Sequence, residues 1–141
     1  MIATAFSDDV AYVQALGADR VIDVKKSRFE EGLSDVDVVL DTIGGDTQYR
    51  SFAVLKPGGA LVSSVAPPDQ QTAARRNVRA RFFLVDVSSR RLEQLAALID
   101  AGELTTSVGD VLPLAEARTA HEMLAGKPHK RGKIVLRVSE S

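Results

Sequence analysis

The chain has 141 residues, 45% of them hydrophobic and 26% charged, with a formal net charge of −1. That length suits one domain with a single core, and the near-balance of charge provides no field to recruit nucleic acid or an anionic membrane surface. The absence of cysteine removes disulfides, thiolate catalysis and the commoner zinc sites, and two histidines make a poor metal centre.

Residues 1–6 read as the end of a strand. Ser7 is placed to cap a helix, with Asp8 and Asp9 in its first turn. Val10, Val13 and Leu16 supply the apolar stripe of that helix, and Gly17 ends it. A short strand over residues 20–24 and a polar linker over 25–31 follow. Residues 36–40 form an apolar run of the kind expected for a parallel strand covered on both faces. The Ile43-Gly-Gly45 stretch reads either as a strand-to-helix turn or as backbone approaching a ligand closely. Asp46 is the expected N-cap of the next helix, which Tyr49, Phe52, Ala53 and Leu55 mark and Pro57-Gly-Gly59 stops. A buried strand over 60–65, a turn at 67–69 and a short helix over 72–77 come next. Residues 81–87 read as a strand. Ser88 and Ser89 open a helix with Leu92, Leu95, Ala96, Leu98 and Ile99 facing inward, ended at Ala101-Gly102. A strand over 108–112, a helix over 115–125 and a strand over 133–138 complete the pattern. The alternation of strand and helix predicts an α/β fold.

Two strand–helix units of this kind are how parallel sheets carry nucleotide cofactors. Neither G-x-G-x-x-G nor G-x-x-x-x-G-K-[ST] occurs, so a loop that would grip phosphates is missing from the sequence. Arg75, Arg76, Arg79 and Arg81 beside Phe82 and Phe83 resemble an RNA-reading surface only locally, and a solvated loop is the better reading. His121, beside Ala120 and Met123, reads as structural or solvent-facing. Asp41 and Asp110 have no partner at fixed spacing, so no acid–base pair is assigned. The chain shows neither an export signal nor the roughly 20-residue apolar span of a membrane helix, which predicts a cytoplasmic protein without a membrane partner.

Leu16-Gly-Ala-Asp-Arg-Val-Ile-Asp23, Asp37-Val-Val-Leu-Asp-Thr-Ile-Gly-Gly45 and Leu55-Lys-Pro-Gly-Gly59 together resemble the medium-chain dehydrogenase/reductase superfamily. The tail, Leu112-Pro-Leu-Ala-Glu-Ala-Arg-Thr-Ala-His-Glu-Met-Leu124 followed by Arg131-Gly-Lys-Ile-Val-Leu136, is similar to the C-terminal signature of its zinc-independent, quinone-oxidoreductase-like branch, often labelled zinc-binding dehydrogenase. The resemblance implies an incomplete Rossmann fold lacking the first strand and its glycine-rich loop. Residues 1–102 would be the partial NAD(P)-binding domain, and 103–141 a strand–helix–strand return segment that in relatives packs on a GroES-like catalytic domain.

The resemblance also implies cofactor positions: Thr4 and Ser7 near the adenosine ribose, Thr42, Ile43 and Gly44 along the adenosine side, Ser64, Val65, Ala66, Phe83 and Leu84 bordering the nicotinamide, and Lys133 near the pyrophosphate. The cofactor would be NADP or NAD, bound weakly by this chain alone, with no zinc and no catalytic residue assigned. Thr4 leaves room for a 2′-phosphate, but Asp8 and Asp9 would repel one. The implied function is the C-terminal part of an NAD(P)H-dependent oxidoreductase of the quinone, enone or alcohol class, inactive in isolation, with a separate chain as one source of the missing half. Alternatives are a non-catalytic remnant or dimerisation module, pairing through the strand over 80–87, and a methyltransferase-like α/β domain. In the strand order 3-2-1-4-5-6 the absent strand is central. The strands over 1–6 and 36–41 are therefore expected to close against each other or to recruit a strand from another copy.

Overall fold

A computed structural model describes residues 1–139 of the chain. These residues fall into two compact units, Met1–Val85 and the stretch from Asp86 onward. This division precedes the helix over Ser89–Asp100, whereas the sequence-based boundary follows it.

In the first unit, strand β1 (Ile2–Ala5) pairs in parallel with β2 (Arg20–Asp23), joined by a 3-10 turn at Ser7–Asp9 and helix α1 (Val10–Ala15). Gly17, at φ +100°, follows α1 in the left-handed conformation that ends helices readily, as its sequence position predicts. Ser7 does not cap α1. It opens the 3-10 turn, α1 starts three residues later, and the Ser7 hydroxyl instead helps to hold the Asp23 carboxyl, at the end of β2, below the ordinary carboxylate range.

A three-stranded parallel sheet follows in the order β3-β4-β5, built from β3 (Val36–Asp41), β4 (Leu55–Ser63) and β5 (Arg79–Phe82). Helices α2 (Gly45–Ser51) and α3 (Gln70–Arg75) make the crossovers. Helix α2 is shorter than its apolar markers suggest, and Gly44 rather than Asp46 occupies its N-cap. Asp46 lies in the first turn and pairs with Arg50 at 2.7 Å. The Pro57-Gly-Gly59 stretch falls inside β4, not at a helix end. The ladder passes from Val36–Leu55 to Val38–Ala60, so residues 56–59 bulge out of it. A side chain at Gly59 would meet the carbonyl oxygens of Lys56 at 2.9 Å and Asp37 at 3.0 Å, which is why the bulge returns through glycine.

Two apolar clusters hold this unit. Phe52, Leu55, Leu61, Ala73 and Val78 form one, and Ile22, Phe29 and Val54 form the other; Val36 and Val39 pack against both. The expectation that β3 is covered on both faces fails. Side chains alternate across a strand, and while Val39 turns to the core, Val38 and Leu40 are 58% and 66% exposed. The expected closing of β1 against β3 also fails: among the described residues β1 pairs only with β2, and β3 only with β4. The anchorage between the two sheets runs through side chains, from Ile22 by way of Phe29 and Val54 to Val36 and Val39, and it needs no ladder between the two edges.

In the second unit, Ser88 caps helix α4 (Ser89–Asp100), its hydroxyl accepting from the Arg91 amide at 3.4 Å. Gly102, at φ +73°, ends the helix. The residues expected to face inward, Leu92, Leu95, Ala96, Leu98 and Ile99, are all exposed, because nothing in this unit covers the stripe. Strands β6 (Val108–Pro113) and β7 (Lys133–Arg137) pair in parallel through a 3-10 turn at Leu114–Glu116 and helix α5 (Ala117–Leu124). The strand expected over 81–87 stops at Phe82, and residues 83–88 carry no regular structure.

Candidate functional site

Because β3, β4 and β5 are parallel and adjacent, their carboxyl ends lie along one edge, where open α/β sheets hold their ligands. The chain leaves that edge in three segments, Thr42–Gly44, Ser64–Ala66 and Phe83–Leu84. These contain eight of the eleven residues expected to border a cofactor.

One buried carboxylate ties the first two segments together. Asp41, 4% exposed at the end of β3, accepts through Oδ1 from the amides of Ile43 (3.1 Å) and Gly44 (2.9 Å). Its Oδ2 accepts from Gln48 Nε2 of α2 (2.8 Å) and from the Ser63 hydroxyl at the end of β4 (2.7 Å). Ser63 Oγ in turn accepts from the amides of Val65 (3.2 Å) and Ala66 (3.3 Å), and Gln48 Nε2 also donates to the Ala66 carbonyl (2.9 Å). The main chain continues the bracing: the Ser64 amide donates to the Asp41 carbonyl at 3.1 Å, and the Phe83 amide to that of Ser63 at 3.1 Å. Burial pushes the Asp41 carboxyl up. The Gly44 amide, the Ser63 hydroxyl, the Gln48 amide and the Ile43 amide together outweigh burial and hold it below the ordinary carboxylate range.

Gly44 has φ +79° and ψ −165°, a conformation only glycine holds without strain. A Cβ there would stand 3.1 Å from Val65 Cγ1, so the β3 and β4 loops touch at this point. Gly44 therefore makes the strand-to-helix turn and brings its backbone against the neighbouring loop. Ile43, Val65, Phe83 and Leu84 are 67%, 48%, 44% and 80% exposed. These apolar side chains are exposed in the segments whose backbone the network holds.

Thr42, Ile43, Gly44, Ser64, Val65, Ala66 and Phe83 are thus brought together, with Leu84 next in the chain. Thr4 and Ser7 lie at the carboxyl end of β1, in the separate two-stranded sheet, and Ser7 is engaged with Asp23. Lys133 is exposed at the start of β7 in the second unit. A groove of about 700 Å³ runs along α4, lined by Arg91, Gln94, Leu95, Ala97, Leu98, Ala101 and Glu103, and none of the expected cofactor residues lines it. Among the described residues, no three His, Asp or Glu side chains assemble to hold a metal ion. Sequence reasoning missed Asp41, Gln48 and Ser63. The available signal was a carboxylate and a hydroxyl ending the apolar runs Val38-Val-Leu40 and Ala60-Leu-Val62, positions where a polar group is buried only if it is hydrogen-bonded.

The profile of the zinc-binding dehydrogenase family matches residues 16–136. The probable zinc-binding oxidoreductase, mitochondrial, of Arthroderma benhamiae is 25% identical, covering 98% of this chain and 44% of its own length. The NADPH-dependent alkenal/one oxidoreductase, chloroplastic, of Arabidopsis thaliana is 30% identical over 95% of this chain and 32% of its own. Among solved structures, the quinone oxidoreductase from Coxiella burnetii superposes with a TM-score of 0.85 at 30% identity, covering 98% of this chain and 44% of that one. The chain spans less than half the length of these relatives.

Proposed function

The chain belongs to the zinc-binding dehydrogenase family, within the medium-chain dehydrogenase/reductase superfamily of NAD(P)H-dependent oxidoreductases, and we propose that it forms the nicotinamide-side wall of such an enzyme acting on quinones or enones. The observation that carries this reading is the Asp41–Ser63–Gln48 network, which fixes two loops at the carboxyl edge of the sheet and leaves apolar side chains facing out beside them. Ile43, Val65 and Phe83 suit the ring portions of a dinucleotide, and the Gly44 backbone lets the chain run close beneath them. When bound, the cofactor supplies the hydride, and the role of these residues is to orient it and exclude water. The sequence carries no glycine-rich loop, and the donors that ordinarily anchor a diphosphate at a helix N-terminus are not supplied by this motif. In this reading the chain alone binds NADPH or NADH very weakly or undetectably, and it turns over neither. Titration by nucleotide fluorescence and calorimetry tests this; submicromolar affinity, or steady turnover by the purified chain, overturns it.

A second reading has one observation behind it. Strand β5 is the outer edge of the three-stranded sheet, and Phe83, Leu84, Val85 and Val87 beyond it are exposed. An uncovered apolar edge of this kind favours pairing with another copy, so homodimerisation through this region accompanies the first reading and would be the chain's main role if cofactor binding is absent. Membership of the dehydrogenase family speaks against the methyltransferase alternative. No helix among the described residues is long and apolar enough to cross a membrane. The cytoplasmic location is kept as part of this reading; cell fractionation that places the chain in an organelle would correct it.

A further inference from the structure

Gln48 of α2 is a polar side chain only 8% exposed, and its surroundings fix which way its carboxamide stands. Nε2 donates to Asp41 Oδ2 at 2.8 Å and to the Ala66 carbonyl at 2.9 Å. Neither oxygen donates in return: a backbone carbonyl only accepts, and the Asp41 carboxyl, held below its ordinary range, is ionised at neutral pH. A carboxamide turned over would set oxygen against oxygen twice. Both N–H groups of Gln48 are therefore spent, and Oε1 is left as an acceptor that no donor among the described residues meets. Nor is it sealed. Every side-chain nitrogen or oxygen shut off from solvent among the described residues has a hydrogen-bond partner, so an unpartnered Oε1 opens to solvent.

Placement decides what this oxygen meets. Oε1 shares a carbon atom with Nε2, and Nε2 is bonded to the Ala66 carbonyl, so two acceptors stand near each other at the carboxyl edge of the sheet. A carbonyl oxygen accepts two hydrogen bonds, and that of Ala66 carries one from Gln48. The pair is also held still. Asp41 and Ser63 tie Gln48 to the 42–44 and 64–66 loops, so little side-chain freedom remains to be lost when a ligand arrives. A role as a brace alone would use only the two N–H groups. The fixed, open oxygen is what such a role leaves unexplained.

We propose that Gln48 is a specificity-determining residue of this edge: Oε1, together with the Ala66 carbonyl, accepts the N–H groups of a primary amide on the bound ring. The site then takes a ring bearing a carboxamide in preference to the same ring bearing a group that only accepts. The inference rests on the nicotinamide-side reading above and deepens it, by naming the ring substituent that is read and the side chain that reads it. A primary amide carries two N–H donors on one nitrogen, which suits two neighbouring acceptors. An ester or a carboxylate in that place sets oxygen against oxygen and leaves the acceptors unmatched. Enclosed sites built to hydrogen-bond a ligand reject the unmatched analogue by large factors; at an open edge the expected preference is roughly ten-fold.

The test uses the full 141-residue chain and two probes of equal charge, nicotinamide mononucleotide and its methyl-ester counterpart, which lacks the N–H groups. Titration to high concentration, followed by NMR at the Gly44, Val65 and Ala66 amides, gives both affinities. The amide form should bind roughly ten-fold more tightly than the ester. Gln48→Lys keeps a donor for Asp41 and for the Ala66 carbonyl and removes the acceptor, so it should abolish or reverse that preference while the chain stays folded. If that variant does not fold, the two probes on the unaltered chain decide. Equal binding of amide and ester at these loops, or a preference that survives Gln48→Lys, overturns the inference and leaves the nicotinamide-side reading standing. Failure of both probes to shift any of the three amides overturns both.

Discussion

Asp41 concentrates at one residue much of what holds the candidate site. Four donors from three parts of the chain converge on a carboxylate that is 4% exposed. Bonds to a buried charged acceptor are stronger than neutral ones, and leaving such donors unmatched is costly. Asp41→Asn keeps the shape but turns an amide N–H₂ toward one of these donors, so a loss of about 2–4 kcal/mol is expected in urea unfolding. The carboxyl is held below its ordinary range in the folded chain, so in the acid window the unfolded chain binds more protons. The contribution of Asp41 is therefore complete above the unfolded value, about pH 4, and disappears as pH falls through the folded value. The stability gap between the wild-type chain and Asp41→Asn should accordingly shrink as pH falls below about 4; a gap that stays constant on acidification would show that the charge is not what matters. The sequence offered the two polar ends of the strands but not their partnership. Ser63 lies 22 residues from Asp41 and Gln48 seven, and no local spacing links them. The neighbouring glycine pair was legible, because the backbone conformation of Gly44 is a local property that only glycine supplies.

At the scale of elements, β3 and the second half of β4 were visible as apolar runs, whereas β5, Arg-Ala-Arg-Phe, begins two residues before the run read as a strand; the helices that were read well ended at glycine, Gly17 after α1 and Gly102 after α4. What failed were features decided by partners. Capping by Ser7 and Asp46 failed because α1 begins only at Val10 and α2 already at Gly45, so neither residue stands at an N-cap. The strand expected to reach residue 87 ends at Phe82, where β4 itself ends at Ser63 and offers no further ladder. The residues beyond, Phe83, Leu84 and Val85, keep the composition of a strand without a neighbour to bond. If this region pairs with its copy, Leu84→Glu, at a residue 80% exposed and so costing little in the monomer, should weaken self-association roughly ten-fold or more in sedimentation equilibrium while leaving the unfolding midpoint of the dilute chain unchanged. A wild-type chain that stays monomeric at high concentration would remove the dimer reading altogether.

For the whole molecule, the sequence identified the class, α/β with parallel strands, because that follows from the order of strands and helices. It did not reveal how little of the apolar material is covered. Ten apolar residues are buried among those described, and only Phe52, Leu61 and Val54 among them are large and almost wholly enclosed. Leu92, Leu95, Leu98 and Ile99 of α4, and Val38 and Leu40 of β3, have the composition of core residues and the exposure of surface ones. A domain of this size ordinarily gains about 5–15 kcal/mol on folding, the small difference between large opposing free energies, and apolar burial is the chief favourable contribution. Uncovered stripes reduce that contribution while the entropy of ordering the backbone is unchanged. The purified chain should therefore unfold in urea with a free energy below about 5 kcal/mol, and should enhance the fluorescence of a dye that binds exposed apolar surface. The chain's near-UV circular dichroism should nevertheless persist, because the two clusters around Phe52 and Phe29 are packed and the buried polar side chains have partners. A steep transition well above that stability, with no dye binding, would mean that the exposed stripes of α4 and β3 are covered in solution by something the chain provides for itself.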